Sequence, residues 1–157
     1  MDERDGPGEP DAMMGRIGQV VMLLHAGDRE EARIRFAALW EEIGEQGDPL
    51  HRCTLAHYMA DTQDDPEDEL TWDLRALRAA DAHTGGEDGR RILGFYPSLH
   101  LNLAADYWKV DEARLARSHL GLAREACDAL GDDAYGDGVR AAVGRMELRV
   151  LGSDQLP

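Results

Sequence analysis

The chain has 157 residues, and 32 acidic side chains against 17 basic ones give it a formal net charge of −15. That length suits one domain with a core needing no disulfide or metal. The charge, with arginines interleaved among acids as in Gly27-Asp28-Arg29-Glu30-Glu31, argues against nucleic acid or a membrane surface as a partner.

The first eleven residues are acidic and rich in Gly and Pro, and read as a disordered tail. They lack the basic and apolar segments of a signal peptide. Ile17, Val20, Val21 and Leu24 then recur at helical spacing, and Gly27 suits the positive φ that closes a helix. Asp28 and Glu31 resemble a capping box for the next helix. Its stripe is Ala32, Phe36, Leu39, Trp40 and Ile43.

A third helix carries Leu55, Tyr58, Met59 and Thr62 on one face. Asp65 and Pro66 open a fourth, with Leu70, Leu74 and Leu77 as its stripe. His83 to Gly89 read as a turn or loop. From Pro97 a helix places Leu99, Leu103, Ala104 and Tyr107 inward. Asp111 opens another, with Ala116, Leu120, Ala123, Cys127 and Leu130 facing the core. Gly131 to Gly138 break it, and Val139, Ala142, Val143, Met146 and Val150 make a last amphipathic helix. Alternation of period two never persists, and no apolar run approaches ~18 residues, so neither a strand nor a membrane span is expected. Cys53 and Cys127 are distant and set no disulfide framework, which predicts a cytoplasmic protein with reduced thiols.

The fold class predicted is all-α: a tail at 1–11, then one domain at 12–152. Its hairpins lie at about 13–48, 50–84 and 97–131, followed by a capping helix at 138–151. Leu103-Ala104-x-x-Tyr107 followed by Ala116-x-x-x-Leu120-x-x-Ala123 resembles the tetratricopeptide repeat. Gly27-Asp28, Glu31-Ala32, Phe36 and Leu39 fill the matching slots of the first hairpin, and Leu70, Leu74 and Leu77 those of the second. The spacing between equivalent positions exceeds the usual period of about 34, which places an insertion near 83–96. The resemblance implies antiparallel hairpins stacked as a short superhelix, closed by a C-terminal cap. It also implies a concave groove that takes an extended peptide or a partner's helix.

Laying Leu55–Asp61 over His100–Asp106 sets His57 on Asn102 and Asp61 on Asp106, each pair spaced i, i+4 on one helical face. In the resembled family that slot faces the groove. Trp108 follows the inward Tyr107 and should point there too, as an exposed aromatic anchor. The expected partner-binding residues are therefore His57, Asp61, Asn102, Asp106 and Trp108. The Lys and Arg set with which some such repeats clamp a C-terminal carboxylate is missing, with only Lys109 and Arg52 nearby.

Cys53 and His57 lie on adjacent turns, but no second pair completes a tetrahedral metal site. The six acids between Asp61 and Glu69 do not follow EF-hand spacing. His57–Asp61 could orient a base, yet no oxyanion donor or phosphate loop accompanies it. The expectation is a non-enzymatic protein- or peptide-binding module with no metal and no cofactor. Its acidity favours a partner bearing Lys or Arg. A homodimer covering the end faces is a further possibility, and a small-molecule or metal sensor using the same cleft is the alternative.

Overall fold

The computed structural model describes residues 11–83 and 85–152. The expected tail, apart from Asp11, lies outside them. Among the described residues eight α-helices follow in order: α1 (Ala12–His25), α2 (Arg29–Ile43), α3 (Pro49–Ala60), α4 (Pro66–Asp81), α5 (Gly86–Leu93), α6 (Tyr96–Lys109), α7 (Ala113–Ala126) and α8 (Ala134–Gly152). A 3₁₀ turn, Cys127–Ala129, extends α7. There is no strand among the described residues, and none of their helices is long and apolar enough to cross a membrane. Short connections make α1–α2, α3–α4 and α6–α7 antiparallel hairpins, and α8 packs on the last.

Three of the first four helices start on an aspartate cap. The Asp11 carboxylate accepts from Met14 N at 3.1 Å, Asp48 from Leu50 N at 2.8 Å and Asp65 from Glu67 N at 2.8 Å. Pro49 and Pro66 take the first helical positions, where a missing N–H costs nothing. The capping box expected at Asp28 does not form. Its side chain makes no cap hydrogen bond, and Glu31 instead pairs with Arg35 at 2.9 Å.

The first and third hairpins turn in the same way. Asp28 N donates to Leu23 O at 3.0 Å and Gly27 N to Leu24 O at 3.1 Å; Glu112 N donates to Tyr107 O at 2.9 Å and Asp111 N to Trp108 O at 3.3 Å. Both are Schellman closures, with the left-handed residue at Gly27 (φ 95°) and Asp111 (φ 63°). Five residues on, Ala32 and Ala116 are each 0 % exposed, in matching positions of the two hairpins. Because Asp111 is spent closing α6, α7 starts two residues later than expected, at Ala113. An L-residue in this conformation is strained. Replacing Asp111 by Gly is expected to stabilise the fold by about 0.5–1 kcal/mol, read as an increased urea midpoint.

The core runs through the stack in three layers. Ile17, Val20, Ala32, Phe36 and Leu39 meet Leu55 and Met59 of α3. Cys53 and Ala56 of α3 meet Ala76, Ala80, Ile92 and Leu99. Ala104 meets Leu120, Ala123, Val139, Val143 and Val150. Thus α3 and α6 each contribute to two layers. Trp40 and Trp72, ring to ring at 5.1 Å and 81°, join the first layer to the second.

Two elements differ from expectation. The buried face of α4 is Asp73, Ala76, Ala79 and Ala80, while Leu70, Leu74 and Leu77 flank it half-buried. Alanines let α3 and α4 approach closely, and the leucines cover the margins. Residues expected as loop wind into α5, anchored by Ile92 at 1 % exposure.

Candidate functional site

A cavity of about 480 Å³ opens between α3, α6 and α8, with His57, Asp61, Leu101, Asn102, Tyr135 and Val139 on its walls. Successive first helices supply one side and the terminal helix the other. Three residues expected from the sequence, His57, Asp61 and Asn102, are brought together here. His57 and Asn102 face each other across α3 and α6, Nδ1 to Nδ2, at 3.4 Å. His57 also packs edge-on to Tyr58 at 5.3 Å and Phe95 at 5.9 Å. Burial pushes its imidazole down to about 4, so it is neutral at pH 7 and offers one donor and one acceptor. Asp61 closes α3, and its backbone carbonyl accepts from Arg29 Nε at 3.2 Å. Desolvation, then the charge of Glu69, raises its carboxyl above the ordinary value.

Asp106 and Trp108 do not line this cavity. Asp106 is 2 % exposed and turns into the interface with α4, towards Asp73, which is equally buried. Oδ1 of Asp73 and Oδ2 of Asp106 find no protein donor. Burial, then the hydrogen bond to Asp106, holds the Asp73 carboxyl far above the carboxylate range; burial raises Asp106 as well. Two carboxylates so close cannot both ionise out of water, so the pair shares a proton. Lys109 ties its rim together, 2.8 Å from Glu69. Trp108 is half-buried against the α7–α8 core layer, which removes it as an anchor in the groove.

Sequence reasoning missed Tyr135, Ser98 and Val139. Tyr135 is 54 % exposed, its hydroxyl 3.3 Å from Ser98 Oγ. The stretch Gly131–Gly138 reads as a breaker, yet α8 begins at Ala134 because the Asp133 carboxylate accepts from Gly136 N at 2.7 Å. An Asp three residues before the backbone N–H that it caps was the signal.

Cys53 is 0 % exposed, and burial, then Asp81, pushes its thiol up to about 12. Such a thiol is a poor nucleophile and a poor ligand. Among the described residues no three His, Cys, Asp or Glu side chains converge on a point that could hold a metal ion.

No family model matches the chain, and neither a curated protein nor a solved structure does.

Proposed function

We propose that the chain is a tetratricopeptide-repeat-like interaction module that holds an extended, basic peptide segment of a partner protein between α3, α6 and α8. The observation that carries this reading is the make-up of the groove. Neutral hydrogen-bonding groups (His57, Asn102, Ser98), an acid (Asp61) and an exposed aromatic (Tyr135) share one open cavity of about 480 Å³. Aromatic rings at such walls are strong anchors, and paired polar side chains read a peptide's backbone. Asp61 and the negative charge around it favour Lys or Arg. The matching turns at Gly27 and Asp111 support the repeat character. Two free, buried thiols suit work in the reducing cytoplasm.

Selection of peptides from a random library on the full chain tests the reading, with Tyr135→Ala and Asp61→Asn as groove variants. Enriched peptides should carry Lys or Arg and should bind the variants more weakly. Enrichment that both variants leave intact would rule out this groove as the reading surface.

A further inference from the structure

A second cavity, of about 390 Å³, lies where the end of α2, the first half of α3 and the last turns of α4 meet. Trp40, Glu45, Arg52, Arg75 and Arg78 line it. Three guanidinium groups face one carboxylate there, in a chain whose 32 acids outnumber 17 bases.

Several arginines elsewhere are paired with acids: Arg16 with Glu42 at 2.6 Å, Arg35 with Glu31 at 2.9 Å, Arg29 with Asp64 and Arg124 with Glu147. Arg75 and Arg78 make no ion pair or hydrogen bond among the described residues. Arg52 gives an N–H to the Gly44 carbonyl, which leaves donors over.

Two of the three forks are also held in place. The Arg52 guanidinium lies 4.2 Å from the Trp40 ring centroid and that of Arg75 4.3 Å from Trp72. The two indoles brace each other edge to face at 5.1 Å. Stacking uses the flat face of a guanidinium and leaves its N–H edges for an acceptor. The C-terminal ends of α2 and α4 bring partial negative charge of about half a unit each, which still leaves the lining net positive. Arg52 is half-buried while Arg75 and Arg78 are exposed, and three like charges around one space repel one another until an anion enters it.

The geometry points to an anion-binding site between α2, α3 and α4, where Arg52, Arg75 and Arg78 hold a small ligand by a phosphoryl or carboxylate group against Trp40. Planar forks match the oxygens of either group in bidentate fashion. The cavity falls in the size range of small-molecule sites. It uses no residue of the peptide groove, so either assignment can fail without the other.

Titration of the full chain with inorganic phosphate and, separately, with succinate at constant ionic strength tests the assignment, by calorimetry and by tryptophan fluorescence. At least one of the two anions should bind saturably at one site per chain. Tighter phosphate identifies a phosphoryl ligand and tighter succinate a dicarboxylate. Arg75→Gln and Arg78→Gln should each weaken binding about tenfold, the loss of one charge-assisted contact. Arg35→Gln removes the same charge from an exposed ion pair on α2 and should leave binding unchanged. Absence of saturation with both anions would overturn the assignment. So would equal weakening by Arg35→Gln, since the effect would then be general electrostatics.

Discussion

Replacing Asp73 by Asn is expected to raise the unfolding free energy at pH 7.5 by roughly 2–4 kcal/mol. In the unfolded chain Asp73 ionises near the ordinary carboxylate value. In the folded chain, burial and the hydrogen bond to Asp106 keep its proton on far above that value. The folded state therefore binds more protons than the unfolded state once the pH exceeds ~4, and stability falls as the pH rises from there. Asn keeps a donor for Asp106 and has no proton to lose. Urea unfolding of both proteins at pH 5 and pH 7.5 measures this. The variant should gain most at pH 7.5 and should no longer lose stability as the pH rises from 5 to 7.5. A variant less stable than wild type at pH 7.5 would mean that the pair is not a protonated dyad.

The opposite limb of the pH profile belongs to His57. Its folded value, about 4, lies below the ~6.5 of an unperturbed imidazole, so the unfolded state binds the extra proton. Its contribution is intact above pH ~6.5 and is lost as the pH falls towards 4, up to ~3 kcal/mol. His100 and His119 act in the same direction. They lie Nδ1 to Nδ1 at 3.0 Å, and burial lowers both. In the wild type this loss runs against the gain from the Asp73–Asp106 pair, so the two windows overlap and partly cancel. His57→Gln should remove about half or more of the acid lability that Asp73→Asn exposes. That comparison is made by unfolding the single and double variants at pH 4.5, 5.5 and 7. Unchanged acid lability in the double variant would place the titrating group elsewhere.

Periodicity carried much of the fold. The stripes around Phe36 and Leu103, the paired alanines at 32 and 116 and the Asp65–Pro66 start are local patterns, and the structure contains them. Overlaying α3 on α6 also set His57 beside Asn102 on one wall with Asp61, but the slot equivalent to Asp61 did not follow, since Asp106 turns into α4. What escaped depended on partners distant in sequence. Asp106 reads as a surface charge until Asp73 arrives from α4 to share a proton with it. Asp73 itself lay hidden between leucines that look like the buried stripe. The Arg52, Arg75 and Arg78 cluster exists only because the α3–α4 hairpin folds back on itself. Tyr135 was masked by glycines whose helix depends on one aspartate cap.

The peptide groove is the central claim, and one affinity comparison tests it most directly. A Lys- or Arg-bearing peptide selected on the full chain is titrated against wild type, Tyr135→Ala and Asp61→Asn by fluorescence anisotropy, with the thermal midpoint of each protein recorded alongside. Tyr135 is 54 % exposed and Asp61 is exposed too, so neither substitution should lower folding stability by more than ~0.5 kcal/mol. Loss of an aromatic anchor or a charge-assisted contact should weaken binding about tenfold or more. Weakening of that order with midpoints nearly unchanged is the predicted result; affinities equal to wild type in both variants would contradict it.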